Sequence, residues 1–337
     1  MSRVKKARLI SILFTLLLAL FVVFALLNSI TDSSSAPLIG DAADNDISAI
    51  PNPPDSSDIS DDIGAPLDEA SQLEKDGFTI IQMDLSDINK GNLILVNSDA
   101  GFEIPDENDL VDIDSFKTKS YRVADSALLL SASIIEPLNE MMDAFYEETG
   151  CGTVTVISAY RDFSRQQEIL DEFTAIVGRA EAKKRAALPG HSEHHAGLAI
   201  DFGVFSEGNL RTFFGTGSTG WFLVHSYKYG FIPRYPEDKT EITKTTYEPW
   251  HFRYVGNPHA HFIRQDRLCF EEYIELIMGF TRDEPYSASF DDADYEVYFT
   301  QDPKIFIPPD CEAEISGNNI NGFIVTLKLP QGPVVIQ

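Results

Sequence analysis

The histidines of this 337-residue chain are confined to one stretch, because all seven lie between residues 191 and 261. Within this stretch, His194, Asp201 and His251 make a set of two imidazoles and one carboxylate. A catalytic zinc ion is held by three such ligands, with a fourth position left for water. A carboxylate outside the ligand set must then take the proton of that water, and Glu248 is the candidate.

Glu248 and His251 are three residues apart in a stretch, residues 247–255, that otherwise predicts a strand. Residues three apart on a regular strand point to opposite faces, so these two side chains could not share one site. Pro249 lies between them, and proline is confined to strand edges and bulges. We therefore expect an irregular turn or bulge at residues 248–250.

Two of these assignments have structural alternatives that the sequence leaves open. His195 directly follows His194 and can serve as the ligand in its place. Asp201 can instead form a buried ion pair with Arg253, while Glu248 caps a turn. Those pairings would leave a folded but inactive domain.

The remaining histidines are expected to have no role in metal binding. His191 is expected in a loop at the rim of the cleft, and His225 is expected to pack on a helix. His259 and His261 have the spacing of a ligand pair, but they follow a predicted surface turn at residues 256–258. We therefore expect both to be exposed.

The spacing of apolar residues predicts the elements that position the candidate residues. Residues 154–157 predict a strand that leads into a helix, with Arg161 at the junction. Residues 197–204 alternate and predict a strand on which Asp201 points away from the apolar face. Other elements are predicted as a strand over residues 93–96 and helices over residues 127–148 and 218–229.

The first 30 residues differ in character from the rest of the chain. They contain four basic residues and no acid, and residues 9–27 form an apolar run broken only by Ser11 and Thr15. As a helix at about 1.5 Å per residue, this run spans a hydrocarbon core of roughly 30 Å. We expect an uncleaved membrane anchor with its N-terminus in the cytoplasm and the rest of the chain outside, a cleaved signal peptide being the alternative.

Composition divides the remainder into three parts. Residues 31–77 are rich in acids and predict a disordered spacer. Residues 78–282 have the regular patterns of a folded domain. Residues 283–337 contain short alternating runs and an Asn321-Gly322 hairpin signal, which predict a small β-rich appendage.

The overall charge and the cysteines exclude several classes of protein. A formal net charge of −27 excludes a general electrostatic binder of nucleic acid. Cys151, Cys269 and Cys311 have no CxxC spacing, which excludes a zinc ribbon and a dense disulfide framework. We expect buried thiols or at most one disulfide, and the expected location outside the membrane makes Cys151–Cys269 the pair to test.

Three short motifs follow one another along the chain. They are Ser158-x-Tyr160-Arg161 with Gln166, Ser192-x-His194-x-x-Gly197-x-Ala199-x-Asp201, and Glu248-Pro249-Trp250-His251-x-Arg253-Tyr254. In this order they resemble the VanY-type D-alanyl-D-alanine carboxypeptidases of the M15 metallopeptidases. The resemblance covers about residues 78–280. It implies an α+β fold of the hedgehog/DD-peptidase type, with helices packed on an antiparallel sheet.

The resemblance also implies a role for each matching residue. Zinc would be held by His194, Asp201 and His251, with Glu248 as general base. The substrate peptide would be held by Arg161, Gln166 and Ser192. Arg161 would in addition help to neutralise the charge that develops on the carbonyl oxygen, a task suited to a planar and always charged donor.

Arg161 and Glu193 keep a second interpretation beside the resemblance. Arg161 can form an ion pair at the start of a helix with Asp162 or Glu168. Glu193 can orient a histidine ligand, or it can be a solvated acid in a loop.

The activity implied is a zinc-dependent carboxypeptidase that removes the C-terminal D-Ala from peptidoglycan stem peptides at the outer face of the membrane. Pro249 matches the carboxypeptidase pattern, where the related dipeptidases tend to have Trp. The chain departs from the usual pattern at Lys244, where Gly is common, and in the His194-His195 doublet. The alternatives are an L,D-carboxypeptidase, a peptidoglycan endopeptidase and a non-catalytic module that binds wall peptides, although such a module has no need of Glu248.

Overall fold

The computed structural model of the protein describes residue 73 and residues 76–102 and 109–331. The predicted anchor at residues 1–30 lies outside these residues, as does nearly all of the predicted spacer at residues 31–77. Across the described ranges, no helix is both long enough and apolar enough to cross a bilayer.

Strands and helices alternate irregularly along the described chain. The strands are β1 (Thr79–Gln82), β2 (Leu110–Asp112), β3 (Arg122–Val123), β4 (Leu129–Ser131), β5 (Val154–Ser158), β6 (Ala199–Ser206), β7 (Asn209–Thr212), β8 (Phe231–Pro233), β9 (His251–Tyr254), β10 (Tyr286–Phe290), β11 (Ala293–Thr300), β12 (Lys304–Ile307), β13 (Glu312–Gly317) and β14 (Phe323–Lys328). The helices are α1 (Ile113–Phe116), α2 (Ile135–Thr149), α3 (Phe163–Val177), α4 (Arg179–Ala182), α5 (Gly220–His225), α6 (Thr240–Thr243), α7 (His259–Gln265) and α8 (Phe270–Met278).

The central sheet has six strands, in the order β3-β5-β6-β9-β8, and β7 also pairs with β6. The β3–β5 pair is parallel and the other pairs are antiparallel. Helix α2 covers this sheet with Leu138, Met141 and Phe145, which share one core with Ile200 and Phe252. Helices packed on a largely antiparallel sheet make the fold α+β, as predicted.

The C-terminal strands form a second, four-stranded sheet in the order β10-β11-β14-β13. A second core lies between this sheet and helices α7 and α8, and it includes Phe262, Val297 and Ile324. Strand β1, near the start of the described chain, pairs with β12. Side chains from before and after residue 283 therefore pack in one continuous core.

Helix α2 begins later than the helix predicted over residues 127–148. Residues Leu129–Ser131 are strand β4, and only after one 3₁₀ turn does α2 begin, at Ile135. Pro137 lies in the first turn of α2, where its missing N–H has no consequence. A longer helix would bring the proline ring against the carbonyl of Ser133, so the proline sets the N-terminal limit.

The strand predicted over residues 93–96 does not form, although the whole segment is buried. Its backbone forms hydrogen bonds with side chains instead of with a neighbouring strand. The N–H of Leu93 donates to Oγ of Ser316 at 2.9 Å. Nη2 of Arg253 donates to the carbonyl oxygens of Asn92 and Ile94, at 2.9 and 3.0 Å. Apolar composition predicted the burial correctly, but side chains distant in sequence replace the expected strand partners.

His259 and His261 are not the exposed turn residues that the sequence predicted. Both lie in helix α7, and His259 is fully buried between helix α8 and strand β14. Its Nδ1 is 2.6 Å from the hydroxyl of Tyr273, and its Nε2 is 3.0 Å from Oγ1 of Thr326. His259 therefore connects helix α8 to strand β14 rather than facing solvent.

The three cysteines are all free. Cys151 packs against the first core, whereas Cys269 is the N-cap residue of helix α8, where its N–H donates to Glu272 at 2.8 Å. The Cys151–Cys269 pairing considered from the sequence is therefore wrong, and the expectation of thiols is confirmed.

We predict that acid destabilises the wild-type protein more steeply than a His259→Gln variant. Burial lowers the pKa of His259 from 6.5 to about 3, so at intermediate pH the unfolded chain binds a proton that the folded protein excludes. Stability contributed by neutral His259 is therefore lost as the pH falls. Between about pH 6.5 and about pH 4.5, wild type should lose about 2 kcal/mol more of its free energy of unfolding than the variant. Urea denaturation at both pH values measures the difference, and equal losses would contradict the prediction.

Candidate active site

Neighbouring strands bring the three predicted metal ligands together. His194 lies in a 3₁₀ turn, Glu193–Ala196, just before strand β6. Asp201 in β6 is the direct cross-strand partner of His251, the first residue of β9. One ligand atom from each of these three residues lies within 4.8 Å of the others. The register of the β6–β9 pair thus joins residues that are 50 positions apart.

The hydrogen bonds of the adjacent histidines decide which of them is available as a ligand. Nδ1 of His195 lies 2.6 Å from the carbonyl oxygen of Arg161, and its Nε2 accepts a hydrogen bond from the N–H of Gly190 at 3.0 Å. Both nitrogens of His195 are therefore engaged by the backbone. His194 is the ligand candidate, and the alternative assignment to His195 is wrong.

His194 presents an unprotonated nitrogen to the site. Its Nδ1 is 2.6 Å from the carbonyl oxygen of Ala159, which can only accept, so Nδ1 carries the hydrogen. Burial and the charge of Arg161 lower the pKa of His194 to about 4, which keeps the ring neutral. Its Nε2 is buried, has no hydrogen-bond partner in the described part of the chain, and lies 3.2 Å from Oδ2 of Asp201. The lone pair of Nε2 and the carboxylate oxygen of Asp201 are both electron-rich, so their proximity favours a cation bound between them.

Asp201 lies between the two imidazoles. Burial disfavours its charge, but His194 and His251 hold the pKa of the carboxyl well below its usual range. Nδ1 of His251 is 2.9 Å from Oδ1 of Asp201. Burial also disfavours a charged His251, yet the hydrogen bond to Asp201 and the nearby carboxylate of Glu193 raise its pKa to about 9. Two imidazoles and an ionised carboxylate, with the bare Nε2 of His194 aimed inward, fit a zinc ion.

The segment before β9 has the irregular shape that Pro249 predicted. The N–H of His251 donates to the carbonyl oxygen of Glu248 at 3.1 Å, which closes a turn, and β9 begins only at His251. The N–H of Glu248 donates to the carbonyl oxygen of Tyr235 at 3.3 Å. Lys244, at the end of helix α6, has a φ of 58°, the left-handed region that favours glycine. This conformation accounts for the glycine common there in the resembling family.

Glu248 shares the electrostatic environment of the ligands. Burial raises the pKa of Glu248 to about 8, and the charge of Asp201 adds to the increase. The positive charges of His251 and Arg161 oppose it. A half-buried carboxyl with a raised pKa beside a candidate metal site has the properties of a general base.

Arg161 does not form the helix-start ion pair that was its alternative. Asp162 instead caps helix α3 by accepting from the N–H of Arg165 at 2.7 Å. Glu168 forms its ion pair with Arg165, at 2.9 Å. Burial lowers the pKa of the Arg161 guanidinium, and the negative charges of Asp201 and Glu248 oppose this decrease.

The polar groups predicted to hold substrate have unused hydrogen-bonding atoms. Within the described residues, Nε of Arg161 and Oε1 of Gln166 are buried without a partner. Nε2 of Gln166 donates to the carbonyl oxygen of Ala187 at 2.8 Å, which fixes the amide. Ser192 is buried directly before the turn that carries His194. A donor and an acceptor left unpaired in a buried site are suited to a polar ligand.

Glu193 is fully buried and is not the solvated loop acid that was one of its interpretations. Its Oε1 accepts from Nε of Arg234 at 2.7 Å and from Nη1 of Arg253 at 3.0 Å. Arg253 thus pairs with Glu193 and not with Asp201, so that alternative is wrong. Arg234 was not predicted as a functional residue, because its only signal in the sequence is a charge directly after the apolar strand β8.

The two remaining histidines behave as predicted in their local contacts. His225 stacks on Trp221, with ring centroids 4.9 Å apart and an interplanar angle of 29°. His191 lies in the loop before the His194 turn, and its Nδ1 is 2.8 Å from the carbonyl oxygen of Asn97.

Comparisons with known proteins agree with this geometry. The family described as VanY: D-alanyl-D-alanine carboxypeptidase matches residues 127–257. The D-alanyl-D-alanine carboxypeptidase of Enterococcus faecium is 34% identical over 249 residues, covering 71% of this chain and 76% of that protein. The bifunctional D-Ala-D-Ala dipeptidase and carboxypeptidase VanXYC of Enterococcus gallinarum is 40% identical over 128 residues, 37% of this chain and 67% of that protein.

Among solved structures, the vancomycin resistance D,D-dipeptidase VanXYg, in complex with a D-Ala-D-Ala phosphinate analog, superposes with a TM-score of 0.66. Its sequence identity is 33%, and the match covers 75% of this chain and 99% of that chain. Site geometry, sequence identity and fold agree, so the chain belongs to the VanY family of D-alanyl-D-alanine carboxypeptidases.

Proposed function

We propose that this protein is a zinc-dependent D,D-carboxypeptidase that hydrolyses the C-terminal D-Ala from peptidoglycan stem peptides. The observation that carries the proposal is the convergence of His194, Asp201 and His251, whose charges also act on the half-buried carboxyl of Glu248 and on the guanidinium of Arg161. The relative from Enterococcus faecium is named a D-alanyl-D-alanine carboxypeptidase, which supports the same activity here.

Three residues would hold the zinc ion. Nε2 of His194 is a bare, buried nitrogen, and Asp201 directs its two oxygens to the two imidazoles. Zinc, when bound, polarises a carbonyl and lowers the pKa of its bound water toward ~7. A neutral His194 and an ionised Asp201 are the protonation states that metal binding requires.

Glu248 would do the proton transfer. As a general base it accepts the proton of the attacking water, and as a general acid it returns that proton to the amine of the leaving D-Ala. Neither step forms a covalent bond between enzyme and substrate. Burial of Glu248 suits both steps, because the raised pKa lets the carboxyl hold the proton between them.

Arg161, Gln166 and Ser192 would hold the peptide. The unpartnered Nε of Arg161 offers a donor for a substrate carboxylate or for the oxygen on which charge develops. Oε1 of Gln166 offers an acceptor for a substrate N–H. Ser192 lies directly before the turn that carries His194, so a peptide bound at its hydroxyl is close to the ligand set.

We also propose that the protein works at the outer face of the cell membrane, anchored by its N-terminal segment. Support comes from the apolar run at residues 9–27 and from the basic residues that precede it. Stem peptides of the cell wall are on that side of the membrane, so the location fits the substrate.

The purified full-length protein, loaded with zinc, should release one Ala from a pentapeptide stem that ends in D-Ala-D-Ala. Mass spectrometry of the products measures the loss, and a tetrapeptide stem and a cross-linked dimer serve as comparison substrates. Cleavage of the tetrapeptide alone would make the protein an L,D-carboxypeptidase. Cleavage of the dimer alone would make it an endopeptidase, and zinc binding without any cleavage would make it a peptide-binding module.

Replacing the general base should remove turnover and leave the metal in place. For Glu248→Gln we expect kcat to fall by about 10²- to 10⁴-fold, because no other group takes the proton of the water. Glu241→Gln changes an exposed acid seven residues earlier and is the matched control, with kcat expected near the wild-type value. A Glu248→Gln enzyme that keeps half of its activity would exclude this role.

Removing a ligand should abolish zinc binding itself. His194→Ala and His251→Ala each take one of three ligands from the set, and elemental analysis of the purified variants should show the loss of stoichiometric zinc. His225→Ala removes a histidine that packs on Trp221 and should retain the metal. One zinc ion per chain in either ligand variant would contradict the assignment.

A further inference from the structure

Glu193 is a buried carboxylate that the proposed reaction does not use. It belongs to the same 3₁₀ turn as His194, and its side chain is completely shielded from solvent. Its Oε1 is occupied by two arginines, Arg234 at 2.7 Å and Arg253 at 3.0 Å. Its Oε2 lies 3.5 Å from Nε2 of His251, and in the part of the chain that the structure describes both atoms are buried without a hydrogen-bond partner.

His251 is therefore bracketed by two carboxylates. Nδ1 faces Asp201 at 2.9 Å, on the side of the ligand set, and Nε2 faces Glu193 on the opposite side. An imidazole that binds a metal through one nitrogen carries its hydrogen on the other. A carboxylate at the other nitrogen favours that tautomer and fixes the plane of the ring.

From this arrangement we propose that Glu193 is a positioning residue, whose Oε2 accepts the Nε2–H of His251 and so orients the ring with Nδ1 toward Asp201 and the metal. The inference rests on the proposed zinc site. It assigns a function to the acid inside the Ser192-x-His194 motif, whose role the sequence left open.

The two arginines make this role possible. Nε and Nη1 donors bind one oxygen of Glu193, which leaves the other oxygen directed at His251. Arg234 is held in turn by Glu271, through bonds of 2.8 and 2.6 Å. Arg253 is held by the carbonyl oxygens of Asn92 and Ile94. Each guanidinium is thus fixed at both ends, and Glu193 has little freedom to turn away.

The test compares the zinc affinity of three full-length proteins: wild type, Glu193→Gln and Glu271→Gln. Glutamine preserves the size of the side chain but can direct an amide N–H at Nε2 of His251. That bond favours the opposite tautomer, with the hydrogen on Nδ1. Glu271→Gln removes one charge from the same network but touches neither His251 nor Glu193, so it reports a purely structural effect.

Competition with a chelator measures the dissociation constant for zinc, and thermal unfolding of the metal-free proteins measures stability separately. We expect Glu193→Gln to bind zinc about 10- to 100-fold more weakly than wild type, with Glu271→Gln within about threefold of wild type. Equal affinity in wild type and Glu193→Gln, or equal weakening in both variants, would overturn the positioning role. Failure of wild type to bind zinc would overturn the proposed function as well, so the two failures are distinguishable.

A measurement on wild type keeps the proposal testable if Glu193→Gln does not fold. In protein with ¹⁵N-labelled histidine and ¹¹³Cd in place of zinc, the coupling between the metal and nitrogen identifies the ligating atom. For His251 we expect coupling between ¹¹³Cd and Nδ1, and a hydrogen-bonded proton on Nε2. Coupling to Nε2 would show that the ring is turned the other way and would refute the inference.

Discussion

The carboxylate of Asp201 lies half-buried between two imidazoles, and it must be ionised where burial disfavours charge. The strand pairing puts it there, because Asp201 and His251 are direct partners across β6 and β9. His194 reaches the same carboxylate from the preceding turn, where the carbonyl oxygen of Ala159 fixes its tautomer. The position of each ligand is thus set by backbone geometry before any metal is considered. A slip of one residue between β6 and β9 would move Asp201 and His251 to opposite faces of the sheet.

Buried charge extends well beyond the ligands, and it is compensated locally. Four side chains of alternating charge form a chain of ion pairs with separations of 2.6 to 3.0 Å, in the order Arg253, Glu193, Arg234 and Glu271. Isolated, any of these groups would carry a large desolvation cost, whereas together each has a partner. The aromatic ring of Phe270 lies 5.1 to 5.5 Å from both guanidinium groups, which adds a favourable contact that does not depend on hydrogen bonding.

This network also explains why the C-terminal region packs so closely on the rest of the chain. Glu271 belongs to helix α8, which shares its core with strands β11 and β14. Arg253 follows Phe252, a residue of the first core, in strand β9. It also donates hydrogen bonds to carbonyl oxygens of the irregular segment at residues 92–94. The candidate metal ligands and the second core are therefore connected through fixed arginines. The C-terminal sheet stabilises the framework that orients His251.

The candidate ligands and the candidate base Glu248 were identified from the sequence through three short motifs and the family resemblance that they carry. The irregular turn at Pro249 and the strands around it were predicted from residue types and local spacing. Tertiary structure alone decided between His194 and His195, since that choice rests on hydrogen bonds to Arg161 and Gly190. It also buried His259 and replaced the strand predicted at residues 93–96, both through partners in distant segments. Arg234 could not be found from spacing because its partner, Glu193, is 41 positions away. Local periodicity reports the conformation of a segment, whereas the protonation and partners of a buried charge depend on which segments the fold brings together.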